Sequence, residues 1–194
     1  MRIMFLLSLT SCNRSTELGV ADYVSFINTE KCELLKSKSI NKIKYKLRLI
    51  TPEIMVLNSE KINSESAFKE RLKNYEGQVQ FNFIIEDDNS ENGSLVKETI
   101  INPKVYSEIL HYANTEMTND LFVIINGDTI NCTIMHLEPA NSIQPVLRFS
   151  VGLSDIKNKI EECTFCFNDN IFNNGLIKFN YSSSTFNNMP KIKF

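Results

Sequence analysis

Histidine is scarce: the 194-residue chain holds two, His111 and His136. A Ser-His-Asp or Cys-His site would have to be built on one of them. No Gly-x-Ser-x-Gly turn is present to raise a serine nucleophile between strand and helix. Glycine-rich loops are missing as well, so a nucleotide phosphate has no ready cradle at a helix start. After the amino terminus, no apolar run approaches the roughly 20 residues that a membrane-spanning helix requires. An excess of either charge is also lacking, with 21 Lys and Arg against 23 Asp and Glu and a formal net charge of -2. Phosphate backbones are therefore not generally attracted, and nucleic acid is excluded as the expected partner. Neither repeats nor linker-like stretches appear. At this length the expectation is one domain with a real core, and the 42% hydrophobic, 23% charged composition is that of an ordinary globular protein.

What is present begins at the amino terminus. Met1-Arg2 is followed by the apolar Ile3-Met4-Phe5-Leu6-Leu7-Ser8-Leu9 and then by Thr10-Ser11-Cys12. A positive start, a short apolar run and small residues before a cysteine form the layout of a secretory signal. The segment Leu9-Thr10-Ser11-Cys12 resembles the lipobox of bacterial lipoproteins. That resemblance implies diacylglycerol on the Cys12 sulfur, cleavage before Cys12, and a place in the cell envelope on the periplasmic face or the cell surface. Two acyl chains hold a protein stably where a single chain binds reversibly. Residues 1–11 thus read as a signal peptide, 12–19 as a polar tether and 20–194 as the folded domain. The plainer alternative is a first strand that happens to end in cysteine.

Periodicity organises the rest. Val20, Tyr23, Val24, Ile27, Leu34 and Leu35 recur at helical spacing and predict a helix interrupted around residues 28–31. Ile43, Tyr45, Leu47 and Leu49 alternate with Lys44, Lys46 and Arg48, a strand with one buried face. The basic run, which also takes in Lys36, Lys38 and Lys42, is then the wet side of that strand; an anionic headgroup or partner is the sharper alternative. Pro52 suits the first turn of a short helix through Leu57, and Ser64-Glu65-Ser66 opens another that ends near Tyr75, before Gly77. Val79, Phe81, Phe83 and Ile85 share one face of a core strand. The acidic stretch 86–93 lacks the ligand spacing of a calcium loop and reads as solvated. Asn102-Pro103 starts a helix with Val105, Tyr106, Ile109, Leu110 and Ala113 on one side. Asn126-Gly127-Asp128 turns a hairpin between strands at 121–125 and 129–137. Further strands are expected at 146–151, 163–167 and 176–181, with one or two helical turns between 154 and 160. The sum is an α+β domain with a mostly antiparallel sheet and a few short helices packed on it.

His136-Leu137-Glu138 followed by Cys163-Thr164-Phe165-Cys166 resembles the signature of zinc nucleobase deaminases, in which His and two Cys hold the metal and Glu moves protons. Here Glu162, not proline, precedes Cys163, and alternation predicts a strand that would point Cys163 and Cys166 to opposite faces. The same spacing resembles thioredoxin-like redox sites, which need a helix start behind the cysteines. Cys32, Cys132, Cys163 and Cys166 remain once Cys12 is set aside. In an oxidising compartment they allow one or two disulfides, in pairings that spacing does not rank, or they pack as buried thiols.

Lys44-Tyr45-Lys46-Leu47, Thr51-Pro52-Glu53, Asn126-Gly127-Asp128-Thr129-Ile130-Asn131-Cys132, His136-Leu137-Glu138 and Met189-Pro190-Lys191-Ile192-Lys193 resemble segments of uncharacterised small lipoproteins of Bacteroidota. The resemblance implies a similar fold over most of the chain and brings no activity with it. Three functions are consistent with these observations. The favoured one is a non-enzymatic binding domain tethered by Cys12 to membrane lipid and engaging an envelope protein or component, with no cofactor, metal or catalytic group. The others are a zinc-dependent, deaminase-like hydrolase using His136, Glu138, Cys163 and Cys166, and an immunity or inhibitor protein.

Overall fold

The computed structural model describes residues 16–29, 32–59, 61–88, 95–140 and 146–194. The signal-like segment and Cys12 lie outside these, as does most of the acidic loop. Among the described residues the chain begins with β1 (Glu17–Gly19) and α1 (Val20–Ile27), then β2 (Leu35–Ile40) and β3 (Ile43–Ile50). The helices α2 (Pro52–Ser59) and α3 (Glu65–Leu72) lead to β4 (Val79–Asp87), followed by α4 (Leu95–Ile101), α5 (Pro103–Thr115) and α6 (Met117–Asp120). The strands β5 (Leu121–Ile125), β6 (Asp128–Asn131), β7 (Ile134–Leu137), β8 (Leu147–Leu153), β9 (Cys163–Asp169) and β10 (Gly175–Tyr181) come next, and α7 (Ser183–Asn187) and β11 (Lys191–Lys193) complete the order. This is the expected α+β fold, dominated by antiparallel pairing.

The strands form two facing sheets. A five-stranded sheet runs β2-β3-β4-β8-β7 and a four-stranded sheet runs β10-β9-β5-β6. Within both, every neighbouring pair is antiparallel. Alternation decides which side faces in. On β3, Ile43, Tyr45, Leu47 and Leu49 are at most 1% exposed, while Lys44, Lys46 and Arg48 line the opposite face. Leu47 sits across from Phe83 of β4, and Phe83 across from Phe149 of β8. Phe81 and Phe83 then meet the second sheet, with ring centroids 5.2 and 5.3 Å from Phe165 and, edge-on, 5.2 Å between Phe83 and Phe167. One cluster of buried side chains runs through both sheets and the helices laid on them, and its aromatic pairs supply more than area burial alone.

A polar lock also joins the two sheets. Asp169, at the end of β9, is 1% exposed. It accepts from Tyr45 Oη of β3 at 2.5 Å, from the Ile171 and Phe172 amides at 3.0 Å and from the Asn174 amide at 3.2 Å. Asn174 Nδ2 in turn donates to Tyr45 Oη at 2.6 Å. The carboxylate is thereby satisfied at both oxygens, as a buried charge must be. A second tie comes from Tyr181 of β10, whose Oη lies 3.2 Å from both the Leu34 and the Leu47 carbonyls.

Several elements depart from the expectation. The first helix ends at Ile27, where Asn28 Nδ2 bonds the Val24 carbonyl and Thr29 Oγ1 the Phe26 carbonyl. Leu34 and Leu35 belong to the approach and start of β2. Residues 129–137 are not one strand, because the chain breaks at Cys132-Thr133: β6 stays beside β5 and β7 crosses to the other sheet. No helix forms over 154–160, since the Ile156 amide is taken by the Gly77 carbonyl at 3.0 Å. Part of the expected tether is structured too, because β1 pairs in parallel with β11, Leu18 opposite Ile192.

Candidate functional site

The deaminase-like residues are not brought together. His136 is exposed on β7, an outer strand of the five-stranded sheet, and Glu138 is exposed just beyond it. Cys163 and Cys166 lie on β9, an inner strand of the other sheet, across from Ile125 and Phe122. As the alternation predicts, the two thiols point to opposite faces of that sheet. Among the described residues no group of three or more His, Cys, Asp and Glu is placed to hold a metal ion. Cys32, Cys132, Cys163 and Cys166 are all free thiols. Burial pushes Cys163 up to about 12, helped by neighbouring Cys166, and Cys32 up to about 11. Burial raises Cys132 and Cys166 as well, so none is an activated thiolate. His111 is exposed on α5.

The basic run is largely absorbed by the fold. Lys46 pairs with Glu86. Arg48 Nη2 donates to the Ile27 carbonyl at 3.2 Å and to Asn28 Oδ1 at 2.8 Å, closing the end of α1. Lys36 and Lys38 place their ammonium groups over the Tyr181 and Phe179 rings, 5.1 and 5.8 Å from the centroids.

A large cleft lies elsewhere, where β3, α3, the 156–160 segment and β11 converge. Its volume is about 660 Å³, within the range of about 300–1,000 Å³ usual for small-molecule sites. Leu49, Phe68, Leu72 and Val79 form one apolar wall; Ile156, Ile160, Phe186, Met189, Pro190 and Ile192 form the other. Lys157, Lys159 and Lys191 stand exposed at the rim, with Glu76 among them.

Two local devices hold this shape. Gly77 has φ +72°, and a Cβ there would lie 3.1 Å from the Ile156 carbonyl oxygen, so glycine allows the two walls to meet. Asn126, at φ 51° in the turn after β5, spends its side chain on the far wall. Its Nδ2 donates to the Lys159 carbonyl at 2.8 Å, and its Oδ1 accepts from the Glu161 and Glu162 amides at 2.9 and 3.2 Å.

Thr51 is the unusual group in the cleft. It continues the inward face of β3 past Leu49, is 8% exposed, and its Oγ1 has no hydrogen-bond partner. Its carbonyl accepts from the Met55 amide at 3.0 Å, which puts it at the start of α2, yet its hydroxyl caps nothing. The Tyr23 phenol is the polar neighbour that feels this hydroxyl, although the two do not reach full hydrogen-bond geometry. Burial first, then nearby Glu53 and Cys32, holds that phenol well above its usual range. The polar side chains of the lining are Tyr23, Thr51, Glu53, Glu76, Gln78, Lys157, Asn158, Lys159 and Lys191. Sequence patterning missed the cleft; its one local sign is a hydroxyl directly before Pro52, at the end of a strongly alternating strand.

Compared with known proteins, the chain matches no family model, no curated protein and no solved structure.

Proposed function

We propose that this chain is an exported lipoprotein of the small Bacteroidota type, held at a cell-envelope membrane by lipid on Cys12, and that its domain is a non-enzymatic binding module whose ligand site is the cleft at Thr51. The unpartnered Thr51 hydroxyl carries the second half of this reading. Leaving a buried hydroxyl unsatisfied costs about 1–3 kcal/mol, and an orphan of this kind at the wall of a cleft is explained by a ligand or water that completes it. The address rests on Leu9-Thr10-Ser11-Cys12. Among the described residues no helix is long and apolar enough to cross a membrane.

Intact-mass spectrometry of the protein extracted from its own membranes tests the anchor. Chains starting at Cys12 and carrying a diacylglyceryl mass are expected, and Cys12→Ala is expected to leave residues 1–11 attached with no added lipid. Full-length, unacylated wild-type protein would remove the anchor.

Thr51→Val tests the site. It preserves shape and deletes only the orphan hydroxyl, so the free protein should gain about 1 kcal/mol, or ~2–4 °C in Tm for a chain of this size. A Tm at or below that of wild type would mean that the hydroxyl is already partnered, and the argument from it would fail.

A further inference from the structure

We infer that the cleft takes a single-chain anionic phospholipid from the bilayer to which the domain is tethered, with its acyl chain along the apolar walls, its ester carbonyl at Thr51 and its phosphate at Lys157 and Lys191. This rests on the Cys12 anchor proposed above. The Lys191 amide donates to the Thr16 carbonyl at 2.9 Å, and Lys191 itself lines the cleft. Thr16, the first described residue, is therefore fastened beside the cleft rim. Cys12 is four positions before Thr16, a reach of at most ~14 Å for a fully stretched chain. Lipid on Cys12 would keep this rim within that distance of the bilayer surface, so an amphiphile leaving the membrane meets this opening first.

The chemistry of the cleft selects among amphiphiles. Leu49, Phe68, Leu72, Val79, Ile156 and Phe186 offer apolar surface to a hydrocarbon chain. Glu53, beside the Tyr23 phenol, repels a phosphate from the interior. Lys157, Lys159 and Lys191 outnumber Glu76 at the rim and attract the phosphate there. Charge thus orients the molecule, and the ester carbonyl gives Thr51 Oγ1 an acceptor that a bare hydrocarbon lacks.

The test uses the full chain with Cys12→Ala, purified without detergent, and dansyl-undecanoic acid as fluorescent probe. Blue-shifted, enhanced emission is expected. Lysophosphatidylglycerol should displace the probe, and a monoacylglycerol of the same chain length should do so at least tenfold more weakly. Ile156→Trp should abolish probe binding by filling the cleft. Lys157→Gln with Lys191→Gln, which keeps Glu17 free of a like charge opposite it, should leave the circular dichroism spectrum unchanged, weaken lysophosphatidylglycerol at least tenfold and bring the two competitors level. Absence of displacement, equal displacement by both competitors in the unsubstituted cleft, or displacement untouched by the lysine pair would overturn the inference. The anchor is read separately by mass: acylated Cys12 with no lipid binding sinks this inference alone, and lipid binding with unmodified Cys12 sinks the anchor alone.

Discussion

Raising the pH to about 11 is expected to unfold the domain cooperatively. Buried acids that are neutral in the fold create this sensitivity. Burial holds Cys163 at about 12 and Cys32 at about 11, against 9.0 for an ordinary thiol. Burial likewise pushes the Tyr23, Tyr45 and Tyr181 phenols well above their ordinary 10.0, and all five side chains are at most 4% exposed. Each folded-state pKa is raised, so the associated stability is intact below the ordinary value. It is lost as the pH climbs from there towards the folded value, because the unfolded chain gives up its protons first. The loss is about 1.4 kcal/mol per pH unit for each group. At pH 11 the five together remove on the order of 10 kcal/mol, comparable with the ~5–15 kcal/mol that stabilises a typical domain. Tyrosinate absorbance and far-ultraviolet circular dichroism followed together read this out: the share of the ionisation that belongs to Tyr23, Tyr45 and Tyr181 should coincide with loss of structure in one steep step. Titration of all six phenols over a fully folded chain would show that these side chains are not buried as described.

Asp169→Ala should destabilise the domain by about 3–5 kcal/mol, the scale for stripping one partner from a buried charged network. The substitution leaves the Tyr45 hydroxyl and the amides of Ile171, Phe172 and Asn174 without their acceptor. It also unfastens the end of β9 from β3 in the opposite sheet. Tyr45→Phe removes a single arm of the same lock and should cost only about 1–2 kcal/mol. For a chain of this size the first change corresponds to a fall in Tm of ~6–20 °C, measurable by thermal denaturation. A fall of under ~3 °C would mean that water replaces the carboxylate, and that the aromatic core alone holds the sheets together.

The strands were legible where alternation was strong. Ile43 to Leu49 and Val79 to Ile85 announce a buried face, and both faces inward as expected. Alternation says which side of a strand is dry but not which sheet the strand joins, so residues 129–137 read as one strand although they serve two sheets. The three residues of β1 are too few to show a period, and their partner lies at the far end of the chain, so they read as tether. Asp169 sits in an Asn-rich stretch that resembles solvent-facing turn, yet three nearby amides and a distant tyrosine make it core. The cleft was illegible for a similar reason: its walls come from segments that meet only after folding. Cys163 and Cys166 show the opposite case, since the period of two alone was enough to separate them.

Lysines on β2 have a consequence for crowded molecules. An outer strand with free amides and carbonyls invites a second copy to add itself on, and a population confined to a surface would stack that way into fibres. With Lys36 and Lys38 lying over the Tyr181 and Phe179 rings, two approaching copies would bring like charges into register, and charge on an outer strand is a recognised guard against such polymerisation. At the other border β7 offers only four residues to a newcomer. Both borders of the five-stranded sheet therefore resist the addition of a second copy.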